Sequence, residues 1–345
     1  MRDLTKQEIK NVIEGKRTDE RIPNLCSFWL YPDAFGDKAD EVKAWKKSHV
    51  YDVDVMYFEM PGVNDGRPEE PEYCWLPAGS SVTGTGALDG CSAIQDWEDT
   101  DFIEEMYEKF PSPESPFIYR YPDAKLDHSK YILGQWFYCL FERHWSLRGM
   151  ENALTDFYLY PDEVHRLYSN LTDFYIRAIE RAKNDYGIDA VFTSDDIGTQ
   201  TGPFFSIDIF REFFKPYYKK MIDRCHELGM HFWLHTCGNI EIFLDDFIEI
   251  GLDVIHPLQK YTMDEKEIVK KYGGRICFLV GFDVQRTIPY GSEEDVRAEA
   301  RFLIDTFSRP DGRFMLTFGN GATPDWKMNC VEALYDEIEN YRPLK

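Results

Sequence analysis

Phe232-Trp233-Leu234-His235-Thr236-Cys237-Gly238-Asn239 holds the pattern that decides the fold. Apolar and aromatic residues lead into a His and a Cys one residue apart, and Gly-Asn then interrupts the run. This is the signature of a buried strand meeting a loop. Residues two apart on an extended chain share a face, so the His235 imidazole and the Cys237 sulfur can converge on one point at the strand's end. Imidazole nitrogen and thiolate sulfur together suit Zn²⁺, and a catalytic zinc needs only three protein ligands. Taken alone, a His-x-Cys pair is more often a buried histidine beside an inert thiol.

Outward from this stretch the chain alternates. Upstream, Asp189-Ala190-Val191-Phe192-Thr193-Ser194 reads as a short strand with Asp195-Asp196 just outside it. Ser206 is placed to cap a helix whose Phe210, Phe213, Phe214, Tyr217, Met221 and Ile222 form one apolar face. Downstream come a helix over Ile242 to Ile250, a strand Asp253 to His256, a helix Asp264 to Tyr272 and a strand Ile276 to Gly281. A helix Glu293 to Phe307, a strand Phe314 to Phe318 and a final helix Trp326 to Tyr341 complete the chain.

Toward the N-terminus, a short polar helix over Met1 to Glu20 leads into Ile22 to Trp29, read as a first strand. A helix follows over Lys38 to His49, and Val53 to Glu59 is a second strand that ends at Glu59. Tyr131 to Phe141 reads as a third strand with Glu142-Arg143-His144 at its end, before helices over Glu151 to Leu159 and Pro161 to Tyr186. About eight strands separated by helices predict one domain over residues 1–345, an α/β fold of the (β/α)8 barrel type with an N-terminal helical extension. Asn64 to Phe117, rich in Gly, Pro and acidic residues, is too long for an ordinary connection and is expected to cross the barrel mouth. Its Tyr73, Trp75 and Trp97 are expected to make the pocket aromatic.

Composition narrows the function. In 345 residues, 62 Asp and Glu outweigh 39 Lys and Arg, for a net charge of -23. Such a field repels polyanions, which argues against nucleic acid and anionic membranes as partners. No apolar run reaches the ~20 residues of a membrane span, and Met1 to Arg21 carries no apolar signal core, so a cytoplasmic protein is expected. The eight cysteines are scattered and are read as thiols.

Active sites of such barrels lie at the strands' C-terminal ends. Here those ends carry Glu59, Glu142, His144, Asp195, Asp196, His235, Cys237, Gln259, Asp283, Gln285 and Asn320, an acidic, metal-friendly rim. Asp195-Asp196 through Gly202-Pro203, Ser206 with Phe210 and Pro216-Tyr217, His235 to Asn239, Gly281-Phe282-Asp283-Val284-Gln285 and Gly319-Asn320-Gly321 together resemble the uroporphyrinogen decarboxylase superfamily, from about Glu142 onward. The decarboxylases of that superfamily use no metal and hold an octacarboxylate with an arginine-bearing N-terminal segment. Pro23 to Gly36 has no arginine, and Trp29 to Phe35 reads as a surface for a flatter, less charged ligand.

The methyltransferase branch, of the corrinoid or O-demethylase style, is the better resemblance. It implies zinc held by His-x-Cys, a later Cys and often a carboxylate, and a corrinoid carried by a partner protein. His235 and Cys237 match. Asn320 stands where the later Cys is expected, and Cys330 lies further on. The resemblance thus implies a metal set of His235, Cys237 and Glu142, catalytic roles for Asp195, Asp196 and Asp283, and substrate contacts from Glu59, His144, Gln259, Gln285 and Asn320. The expected reaction is methyl transfer from a small methoxy-aromatic or methylamine-like donor to a corrinoid protein or a thiol, with a homodimer kept open. The alternatives are a metal-free decarboxylase and a non-catalytic barrel that binds a corrinoid or aromatic ligand.

Overall fold

The computed structural model describes residues 2–17, 21–49, 51–60, 75, 93–108, 110–115, 118–120 and 126–343. Its sheet contains β1 (Val53–Phe58), β2 (Tyr119–Arg120), β3 (Tyr131–Trp136), β4 (Ala190–Ser194), β5 (His231–His235), β6 (Val254–His256), β7 (Cys277–Phe282) and β8 (Phe314–Phe318). From β1 through β3 to β8 every neighbour is parallel, and β2 adds an antiparallel pair at the end of β1. Strands β3, β4, β5, β7 and β8 are buried along their whole length, as expected when helices cover the outside of a parallel sheet. The helices Pro161–Tyr186, Lys215–Glu227, Glu293–Phe307 and Met328–Asn340 supply that cover. This is a (β/α)8 barrel.

Two expected strands are shorter than their apolar runs suggest. In Ile22 to Trp29 only Asn24 joins the sheet, bridging to Leu316 of β8 in parallel and accepting a 3.1 Å bond from the Asp52 amide. The Asn24 side chain then accepts from the Cys26 amide at 3.1 Å, and the chain bends into a 3₁₀ turn over Cys26–Trp29. Such a local side-chain bond competes directly with a ladder. The closure between β8 and β1 instead rests on a buried polar cluster: Arg21 pairs with Asp52 at 2.6 Å and Glu339 at 3.1 Å, and Asn24 bonds both acids.

The third expected strand, Tyr131 to Phe141, stops at Trp136. Tyr138 takes φ +66, and the amides of Tyr138, Cys139 and Leu140 turn to Ser194 and Asp195 instead of a neighbouring strand. Phe141 opens a helix, Phe141–Arg148, so Glu142 lies in a first helical turn. Most of the expected mouth-crossing segment, including Tyr73, lies outside the described residues. Trp75 packs edge-on against Phe110 and Phe174, and Trp97 donates to Asp156, so these rings rest against the helices Pro161–Tyr186 and Met150–Leu159. Among the described residues no helix is long and apolar enough to cross a membrane.

Candidate functional site

The site forms where β4 and β5 end side by side. Ser194 pairs with His235, so Asp195-Asp196 and Thr236-Cys237 leave the sheet as neighbouring turns. They interlock closely. Gly238 has φ +88, and a Cβ there would stand 2.3 Å from the Gly198 carbonyl carbon, so the approach is open only to glycine. The Cys237 amide donates to Asp196 Oδ1 at 2.6 Å and the Ile197 amide to Thr236 Oγ1 at 3.2 Å.

These contacts bring three donor atoms together. His235 Nε2 is 3.3 Å from Cys237 Sγ and 3.7 Å from Asp196 Oδ1, and one ligand atom from each residue lies within 4.8 Å of the others. Behind them, His235 Nδ1 meets His256 Nδ1 at 2.7 Å, and His256 Nε2 meets the Phe318 carbonyl at 3.0 Å. Trp29 lies flat on His256, 5.2 Å between centroids and 14° between planes. Trp29 is therefore packing behind the site and not an exposed ligand surface.

The electrostatics follow from burial among acids. Burial, then the charges of Asp196 and Glu142, push the Cys237 thiol up, so it keeps its proton unless a cation is supplied. Burial pushes His235 down and keeps it neutral. Burial, then Asp196 and Asp195, raise the Glu142 carboxyl well above the usual carboxylate range, against a hydrogen bond from Ser194.

A cavity of about 110 Å³ opens beside Cys237, lined also by Gln259, Lys260, Asp283, Gln285 and Asn320. Asn320 Nδ2 lies 3.9 Å from Cys237 Sγ, against the thiol. Gln259 Oε1 accepts from the Gly238 amide at 2.8 Å, which couples the cavity wall to the donor cluster. Asp283 lines the cavity and also spends its oxygens on Tyr261, Gln285, Arg286 and Thr287.

The remaining expected residues are placed elsewhere. Glu142 lies outside the cluster of donor atoms, and Asp196, expected as a catalytic acid, lies within it. Asp195 is wholly buried and not on the rim, accepting from Leu140 at 3.1 Å, Glu142 at 2.7 Å and the Tyr218 hydroxyl. It caps the helix Phe141–Arg148, because a buried helix start needs acceptors for its free amides. His144 is also sealed off: it bonds Asp156 and Tyr168, and Asp156 in turn pairs with Arg148. Glu59, half-buried at the end of β1, bonds Ile118 through its amide and does not line the cavity. Cys330 is buried against Gly291. Sequence reasoning missed His256, though it ends β6 in register with His235 of β5.

Comparison with known proteins agrees with this architecture. The uroporphyrinogen decarboxylase (URO-D) family profile matches residues 145–341, more than half of the chain. The methylcobamide:CoM methyltransferase MtbA of Methanosarcina mazei is 26% identical over 184 residues, 52% of this chain and 50% of that protein. The chain thus spans about half the length of the curated relative it matches. A solved methyltransferase from Methanosarcina mazei superposes with a TM-score of 0.60 at 16% identity, covering 97% of this chain and 98% of that one, a likeness of fold. The barrel, the strand-end motifs and the profile together make this chain a member of the uroporphyrinogen decarboxylase family.

Proposed function

We propose that this chain is a methyltransferase that moves a methyl group from a small methoxy-aromatic or methylamine-like donor to a corrinoid protein or a thiol, with zinc held by Asp196, His235 and Cys237. The observation that carries the reading is the convergence of these three donors beside the cavity. The residues fit the ion. Tetrahedral zinc with bonds of about 2.1 Å to N or O and about 2.3 Å to S separates its ligand atoms by about 3.6 Å (N to S) and about 3.4 Å (N to O). The corresponding distances here are 3.3 and 3.7 Å. The donor set also combines a carboxylate with a thiol that needs a cation to ionise.

Bound zinc would supply a Lewis acid that polarises the heteroatom carrying the methyl group or lowers the pKa of an acceptor thiol. The chain's own groups handle the rest. The methyl–heteroatom bond breaks with its electron pair left on oxygen or nitrogen, and the acceptor supplies the pair for the new bond. Gln259, Asp283, Gln285 and Asn320 would orient the donor.

The decarboxylase alternative asks for several cations facing the cavity. Arg148 is spent on Asp156 and the carbonyls of Ile94 and Gln95, Arg143 lies on Trp75, and Arg286 lies on Tyr261. Lys260 lines the cavity between Glu265 and Glu299. An octacarboxylate would find little compensation.

The test is methyl transfer from a phenyl methyl ether or a methylamine to cob(I)alamin by zinc-loaded protein, followed by the loss of Co(I) absorbance. Transfer should vanish in His235→Ala and Cys237→Ala proteins that melt like wild type. No transfer to cob(I)alamin or to a thiol from either donor class would refute the proposal, and coproporphyrinogen formation from uroporphyrinogen would establish the alternative.

A further inference from the structure

We propose that His256 decides which ring nitrogen of His235 is left free to bind a metal, acting as a positioning residue behind the donor cluster; this rests on the metal-site reading above. The argument is one of hydrogen placement. The Phe318 carbonyl oxygen can only accept, so its 3.0 Å contact requires the hydrogen on His256 Nε2. The 2.7 Å contact between the two Nδ1 atoms needs one hydrogen, from one ring or the other.

The surroundings choose the donor. His256 is fully buried, and the groups packed against it are the rings of Trp29 and Phe192, His235 and the Phe318 carbonyl, none of them anionic. A second hydrogen on His256 would make an imidazolium pressed against another imidazole with no counter-ion, a costly burial of charge. His256 therefore accepts at Nδ1, and His235 donates from Nδ1. The lone pair of His235 is left on Nε2, the atom 3.3 Å from Cys237 Sγ. Metal-binding histidines are commonly held this way by a partner on the other nitrogen, usually a carboxylate or a carbonyl. Here a second histidine relays the demand of a β8 carbonyl to the end of β5, and Trp29 stacked on it fixes the plane of the relay.

Two variants separate polarity from packing. His256→Phe keeps a ring against Trp29 and removes the relay. His256→Gln can accept from His235 through its amide oxygen and donate to Phe318 through its amide nitrogen. Chelator-stripped protein is titrated with Zn²⁺ against a chromophoric chelator, and with Co²⁺ to read the thiolate-to-cobalt band. His256→Phe should weaken binding about 10- to 100-fold, the usual loss when a ligand's supporting partner is removed, and His256→Gln should recover most of it. Equal affinity in wild type and His256→Phe overturns the proposal, as does equal weakening in both variants, which would point to packing.

Long-range ¹H–¹⁵N imidazole spectra of metal-free, ¹⁵N-histidine protein test hydrogen placement without any metal, with His235→Ala giving the assignment. The wild type should show His235 protonated at Nδ1 and bare at Nε2, and the reverse pattern overturns the relay. If wild type takes up no metal, the metal reading falls, and the relay stands or falls on these spectra.

Discussion

Replacing Asn320 by cysteine should turn the proposed three-donor zinc site into a four-donor one with higher affinity for the ion. Two thiolates on a tetrahedral zinc with bonds of 2.3 Å lie about 3.8 Å apart. Asn320 Nδ2 is 3.9 Å from Cys237 Sγ. A cysteine sulfur reaches less far from its own backbone than that nitrogen, so the loop must advance by something on the order of 1 Å. Gly319 and Gly321 flank the position, and Asn320 is exposed, which makes such a shift cheap. The lost bond from the Gly321 amide to the Asn320 side chain costs about 0.5–1 kcal/mol. Structural four-ligand sites bind zinc with about 10–16 kcal/mol, about 3 kcal/mol per ligand, so after the loop's cost the gain should be at least about tenfold in affinity. Chelator competition measures the affinity, and the thiolate-to-cobalt band should grow as a second sulfur joins. Unchanged affinity with an unchanged band would refute the placement of Asn320 at the missing ligand's position.

Other outcomes follow from the same geometry. Asp156→Ala leaves the buried Arg148 without its partner and should cost about 3–5 kcal/mol in urea unfolding; a loss under about 1 kcal/mol would show the Asp156 network to be dispensable. Burial raises the Asp156 carboxyl, but bonds from Arg148 and His144 outweigh it and hold it at about 2, below its unfolded value, so its stabilisation is present above about pH 4 and fades as pH falls toward 2. Asp195 has the opposite sign. Burial pushes it up to about 6, so the folded state holds its proton more tightly and stability falls by about 3 kcal/mol as pH rises from 4 through 6. Asp195→Asn should flatten that slope in metal-free protein, and an unchanged slope would assign it to another group. Gly238→Ala should displace the turn carrying Cys237, given φ +88 and the 2.3 Å approach, and abolish metal uptake in the chelator assay; wild-type uptake would contradict the interlock.

The sequence by itself determined the order of strands and helices and the end of the barrel where chemistry would sit. Strands Val53–Phe58, His231–His235 and Phe314–Phe318 and the helix Glu293–Phe307 declare themselves through local apolar period and caps, which depend only on near neighbours. The closeness of His235 and Cys237 was legible for the same reason, because a two-residue separation at a strand end fixes side-chain parity.

The tertiary structure decided what parity cannot reach. Asp195 and Asp196 are adjacent in sequence, yet one turns inward to cap the helix Phe141–Arg148 and the other joins the donor cluster. Glu142 and His144 look like strand-end residues until the positive φ of Tyr138 ends β3 early and puts them on a helix. His256 and Asn320 reach the site only because parallel pairing sets β6 beside β5 and brings the turn after β8 over the same cavity. These are contacts between residues 21 to 83 positions apart, and no local pattern encodes them. They arise when burial forces each free amide, carboxyl and ring nitrogen to find a partner.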